Sequence, residues 1–81
     1  MNKVQLYTLS TCSYCQQTKS YFTEHHIPFD FIDYDLADEA TQQRIQAELQ
    51  AEGVKGFPAV RIGGEIVEGY QPQRYAELLG R

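Results

Sequence analysis

Thr11-Cys12-Ser13-Tyr14-Cys15 holds both cysteines of the 81-residue chain. Two thiols separated by two residues can close one small disulfide when the first turn of a helix holds them, so the pair is a candidate redox switch. A cysteine at the N-terminal edge of that helix meets unpaired backbone N–H groups and the positive end of the helix dipole. Both favour the thiolate, the form that attacks a disulfide. Cys12 is therefore the expected nucleophile. Cys15 lies one turn further in, tilted inward and less exposed, which suits a thiol that waits to resolve a mixed disulfide. Tyr14 is expected to line the entrance. Lys19, one turn beyond Cys15, either leans back to help the thiolate or is an ordinary exposed helix lysine.

Zinc is the competing use of two cysteines, with His25 and His26 as the other half of a site. Adjacent histidines on a helix point about 100° apart, and some ten residues of helix put them roughly 15 Å from Cys12. No metal site is expected, and both histidines read as solvated helix-end residues. A structural disulfide is disfavoured as well, because closing so short a loop removes little entropy from the unfolded chain. An adaptor with incidental cysteines would explain a core Cys15 but gives Cys12 no packing reason to be there.

The elements that must position these thiols follow from the periodicity. Lys3 to Thr8 alternates Val4 and Leu6 with Gln5 and Tyr7, the pattern of a strand. Ser13 to His25 reads as a helix whose inward stripe is Cys15, Thr18, Phe22 and His25 or His26, stopped by Pro28. Phe29 to Tyr34 is a second strand, so strand, helix and strand over about thirty residues form a βαβ unit with parallel strands. Asp33, Asp35, Asp38 and Glu39 follow; without the glycine turn and closing glutamate of a calcium loop they read as a strand exit and the acidic start of a helix. That helix, about Asp38 to Glu52, offers Leu36, Ala40, Ile45 and Leu49 to the core and ends at Gly53. Ala59 to Ile62 and Glu65 to Glu68 form a hairpin around Gly63-Gly64, with Val60 opposite Val67. A last helix starts near Pro72 and ends at Gly80, docked by Tyr75, Leu78 and Leu79.

Composition bounds the rest. A hydrophobic fraction of 42%, with six tyrosines and four phenylalanines, fits one folded domain over residues 1–81 with a modest core. The net charge is −4 and no basic stripe exists to neutralise phosphates, so neither nucleic acid nor an anionic membrane surface is an expected partner. Met1-Asn2-Lys3 leads straight into Val4-Gln5-Leu6-Tyr7, which leaves no room for a secretory leader, and no apolar run approaches a membrane span. The expectation is a cytoplasmic monomer. In such a reducing compartment a C-x-x-C pair is more often catalytic than structural.

The order β-α-β-α-β-β-α, with Tyr7-Thr8-x-x-Thr11-Cys12-Ser13-Tyr14-Cys15, Phe57-Pro58 and Gly69-Tyr70-x-Pro72 in their places, resembles the glutaredoxin branch of the thioredoxin fold over the whole chain. The resemblance implies an α/β, four-stranded mixed sheet with helices on both faces, the first and third on one and the second on the other. It implies that Pro58 is cis and faces the cysteines, so that an extended substrate can pair with the backbone of Phe57. It also implies a substrate- or glutathione-binding surface of Tyr14, Phe57, Pro58, Gly69, Tyr70 and Gln71, and a thiol-disulfide oxidoreductase that reduces protein or glutathione mixed disulfides.

Departures from the typical glutaredoxin pattern point further. Ser13 stands where proline is usual, Leu9 where a basic residue is expected, and Gly56-Phe57-Pro58 replaces Thr-Val-Pro. Gly69-Tyr70-Gln71-Pro72 lacks the paired aspartates that grip glutathione, and Pro72 offers no N–H to a carboxylate. Lys55-Gly56-Phe57-Pro58 and Gly69-Tyr70-Gln71-Pro72 are similar to the glutaredoxin-like electron donors of ribonucleotide reductase, which are recharged by thioredoxin reductase, although Val67 stands where those proteins often carry tryptophan. Cys-Ser-Tyr-Cys also occurs in glutaredoxins that hold an iron-sulfur cluster between two subunits, which implies a carrier role as a further alternative.

Overall fold

The computed structural model describes residues 3–80. Met1, Asn2 and Arg81, within the expected domain span and leaderless start, lie outside the described residues. The elements are β1 (Val4–Thr8), α1 (Ser13–Glu24), β2 (Asp30–Asp33), a short 3-10 turn (Tyr34–Leu36), α2 (Glu39–Ala51), β3 (Ala59–Ile62), β4 (Glu65–Glu68) and α3 (Pro72–Leu79). The strands form one mixed sheet in the order β2-β1-β3-β4. β1 runs parallel to β2, while the β1–β3 and β3–β4 pairs are antiparallel, and Val60 faces Val67 across the hairpin.

Strand alternation sorts the side chains into two cores. Val4, Leu6, Val60, Ile62 and Val67 point to one face, where Phe22 of α1 and Tyr75 of α3 pack on them. Tyr7 and Ala59 point to the other, against Ile45 and Leu49 of α2. The first and third helices thus share a face and the second covers the reverse. Because α2 supplies only two buried side chains, polar contacts stitch it down: Glu48 accepts from the Tyr7 hydroxyl at 2.7 Å and from Arg61 Nε at 3.1 Å. Asp38 caps its start, accepting from the Thr41 N–H at 2.8 Å. Gly53, at φ 73°, turns the chain away after its end, a conformation that costs glycine little.

The structure corrects three expectations. Leu36 is not part of the inner stripe of α2; it sits in the 3-10 turn, 72% exposed, and Ala40 is exposed as well. Second, neither His25 nor His26 extends the buried stripe of α1. The helix stops at Glu24, before Pro28 can act, because His26 takes a left-handed conformation at φ 57° and its N–H returns to the Thr23 carbonyl. That turn swings Ile27 into the core, where its N–H reaches the Phe22 carbonyl at 2.9 Å. Third, the second strand is shorter than Phe29–Tyr34. Tyr34 opens the 3-10 turn, and Phe29 packs against the α1 core with its ring 5.9 Å from that of Phe22.

Candidate active site

Cys12 is the N-cap residue of α1, with extended backbone (φ −87°, ψ 123°). Its sulfur accepts from the backbone N–H of Cys15 at 3.3 Å, the role a serine or aspartate takes at other helix starts. Burial pushes the Cys12 thiol up, but hydrogen bonds from the Cys15 thiol and from the backbone N–H groups of Cys15 and Tyr14 outweigh it. The balance holds Cys12 below the ordinary thiol value. Cys15 is fully buried, and its sulfur accepts from the Leu9 N–H at 3.3 Å. Desolvation, helped by the neighbouring Cys12 sulfur, pushes its thiol up to about 12. One thiol is therefore half-exposed and acidic, the other sequestered and protonated; both are free.

The loop that delivers Cys12 is fastened from outside. Ser10 donates to Asp35 twice, through its N–H at 2.9 Å and its hydroxyl at 2.5 Å, and these bonds hold the Asp35 carboxyl below the usual range. Leu9 then takes the Cys12 N–H on its carbonyl. Lys19 is not an ordinary exposed helix lysine: its ammonium pairs with Asp33 at 3.0 Å and lies over the Phe31 ring, and Asp33 also accepts from the buried Thr8 hydroxyl at 2.6 Å. Its charge does favour a thiolate, at Cys15. The roles of Asp33 and Asp35 escaped the sequence reading. The β1–β2 register carries them: Thr8 lies beside Asp33, so two residues on, Ser10 falls beside Asp35.

Beside the thiols lies a cleft of about 290 Å³ lined by Tyr14, Phe57, Pro58, Gly69 and Tyr70. The structure thus brings together five of the six residues expected to bind substrate. Tyr14 projects from the first turn of α1, 60% exposed. The Phe57–Pro58 peptide is cis, and the Phe57 ring rests on Tyr34 with centroids 5.2 Å apart. Gly69, at φ 87°, turns the chain out of β4, and its N–H donates to the Pro58 carbonyl at 2.7 Å. Gln71, the sixth, is not brought to the cleft lining: its side-chain amide donates to the Glu68 carbonyl at 2.6 Å and it borders a separate groove at the start of α3. Among the described residues, no group of three or more His, Cys, Asp or Glu could hold a metal ion, and no helix is long and apolar enough to cross a membrane.

A cis-proline cleft beside an acidic helix-capping thiol and a buried second thiol, on a β2-β1-β3-β4 sheet, defines a thioredoxin-fold dithiol protein. The glutaredoxin family model matches residues 4–67. The chain belongs to the glutaredoxin family and is a glutaredoxin-like thiol redox protein. It is 28% identical over 76 residues to an uncharacterised glutaredoxin-like 8.6 kDa protein of the rubredoxin operon of Clostridium pasteurianum, covering 94% of this chain and 96% of that one. It is 27% identical over 75 residues to the glutaredoxin-like protein NrdH of Lactococcus lactis, covering 93% and 97%. Among solved structures, the glutaredoxin of Archaeoglobus fulgidus superposes with a TM-score of 0.82 at 30% identity, over 98% of this chain and 87% of the other.

Proposed function

We propose that the protein reduces disulfides of other proteins in two steps and is recharged by a reductase of the thioredoxin-reductase kind, not by glutathione. In the first step the Cys12 thiolate attacks one sulfur of the substrate disulfide; a Cys12–substrate disulfide forms and the other substrate sulfur leaves as a thiolate. In the second, Cys15 loses its proton and attacks the Cys12 sulfur. The substrate's remaining sulfur departs, and Cys12–Cys15 is left oxidised by two electrons. A reductase then returns two electrons and two protons.

The pKa pattern supports this order. Desolvation is the largest influence on Cys15, and the hydrogen bond and charge of the Cys12 sulfur add to it. Once Cys12 is tied up in a mixed disulfide, its negative charge is gone and both of those added influences lapse. The backbone N–H of Leu9 and the charge of Lys19, which favour the Cys15 thiolate, stay in place. Cys15 is thereby held back until the step that needs it.

The observation that carries the choice of reductant is the cleft wall: Tyr14, Phe57, Pro58, Gly69 and Tyr70 include no acidic residue and no lysine, arginine or histidine. Glutathione brings two carboxylates and an ammonium, each of which would lose water without meeting a side chain of opposite charge there. A cysteine flanked by apolar residues in an extended protein segment fits the same wall, with Phe57, Pro58 and Tyr70 to cover it. The nearby Lys55 borders a different groove, beyond Phe57. The similarity to a protein named NrdH agrees with this reading. Such chemistry belongs in a reducing cytoplasm, and a single chain suffices for it.

The test is NADPH consumption with an oxidised protein substrate, run with thioredoxin reductase alone and, in parallel, with glutathione plus glutathione reductase. The reading predicts turnover with thioredoxin reductase that Cys12→Ser abolishes. Turnover with the glutathione system only would overturn the proposed coupling. Ser13 in place of the usual proline keeps one competing proposal, a cluster carrier: with Cys15 buried, each chain offers the single thiolate of Cys12, so an iron-sulfur centre would need two chains and two external thiols. A brown dimer after anaerobic reconstitution would favour that reading.

A further inference from the structure

Tyr75 is wholly buried beneath α1, its ring 5.2 Å from that of Phe22, 5.5 Å from Tyr21 and 6.4 Å from Tyr70. A phenylalanine would fill that space without the cost of burying a hydroxyl. The hydroxyl has a definite target: it donates to the Gly69 carbonyl at 2.5 Å. It also lies 3.5 Å from the Thr18 hydroxyl, which gives its own proton to the Tyr14 carbonyl at 2.9 Å. Each of these hydroxyls has one proton, so Gly69 is the strong partner of Tyr75. On its other side, Gly69 donates to the Pro58 carbonyl. Two walls of the cleft therefore converge on one buried side chain: Gly69-Tyr70 directly and Pro58 through Gly69.

We infer that Tyr75 is a positioning residue: its hydroxyl latches the Gly69-Tyr70 wall to α3, whose Tyr75 ring packs on the helix that carries the thiols, and so sets the width of the cleft for an extended polypeptide disulfide. The latch rests on the proposed use of protein disulfides, because a small disulfide has no extended chain to lie along that wall. Gly69 needs such a latch more than its neighbours do. At φ 87° and without a side chain it has many alternatives to the conformation seen, and the two hydrogen bonds to its carbonyl and its N–H select one of them.

The test compares wild type with Tyr75→Phe, both pre-reduced, in single-turnover reactions with two probes. One is a peptide whose intramolecular disulfide is flanked by leucines; the other is 2-hydroxyethyl disulfide. The latch predicts that half-saturation for the peptide rises roughly three- to ten-fold, the size of one lost hydrogen bond, at an unchanged limiting rate. The rate with 2-hydroxyethyl disulfide and the pH profile of Cys12 alkylation stay as in wild type. In the same pair of proteins, amide exchange at Gly69 accelerates on removal of the hydroxyl. Peptide half-saturation within twofold of wild type, equal losses with both probes, or unchanged Gly69 exchange would overturn the inference. A wild type inert toward the peptide would sink the proposed function and leave the exchange comparison to decide the latch. If Tyr75→Phe does not fold, wild type alone decides it: a slowly exchanging Tyr75 hydroxyl proton and Gly69 amide support the latch, and fast exchange at either refutes it.

Discussion

Cys12 and Cys15 are three residues apart and chemically opposite, and the cause is local. Cys12 stands where the helix leaves its first N–H groups without carbonyl partners, so its sulfur can serve as their acceptor. Cys15 faces the core one turn on, where desolvation dominates and pushes its thiol up to about 12. A substitution separates the two roles. Cys15→Ser removes the second attack and leaves the first, so the variant is expected to accumulate a stable disulfide between Cys12 and a substrate cysteine. Mass spectrometry of the intact adduct checks it; free variant with fully reduced substrate would mean that Cys15 is not needed for release. This chemistry was legible in the sequence because a C-x-x-C pair between a strand and a helix leaves few geometries open. The Lys19–Asp33–Thr8 group was not, since Lys19 alone shows only a helix lysine and its partners come from two other elements.

At the scale of elements, the legible features were those set by near neighbours in the chain, and the others depended on distant contacts. The Val60–Val67 register follows from a two-glycine turn, and the α3 start from a proline at its first position. Leu36 reads as core because it is apolar and near a helix, yet the 3-10 turn that joins β2 to α2 carries it outward. The end of α1 was misplaced for a related reason. A left-handed residue after a helix is usually glycine, and His26 gives no such signal. It also makes a measurable claim. A side chain at φ 57° carries a conformational cost of about 1–2 kcal/mol that glycine avoids, partly offset by the greater freedom of glycine in the unfolded chain. His26→Gly should raise stability by about 0.5–1 kcal/mol in denaturant unfolding; a loss of stability would show that the histidine ring contributes more than its backbone costs.

For the whole molecule, the two thiols give the reduced protein an unusual dependence on pH. A thiol held below its unfolded value adds stability as pH rises toward that value, whereas one held above it withdraws stability once the unfolded chain begins to lose its proton. Cys12 is the first kind and Cys15 the second. Unfolding free energy of the reduced protein should therefore climb toward about pH 8.5, the unfolded thiol value, and fall beyond it. Tyr7 and Tyr75, both raised by burial, add to the fall only above about pH 10. Denaturant melts between pH 8.5 and 9.5 should show the decline in wild type and largely lose it in Cys15→Ala. A decline of equal size in that variant would place its origin outside the buried thiol.

The exchange chemistry depends on the two sulfurs ionising far apart. The most direct measurement is the alkylation rate of each cysteine in the folded, reduced protein across a pH series, with the modified residue located by peptide mapping. The account predicts that Cys12 reacts first, with an inflection below the ordinary thiol value, and that Cys15 stays unmodified through the range in which Cys12 saturates. Modification of both at one ordinary thiol pKa, or of Cys15 ahead of Cys12, would contradict it.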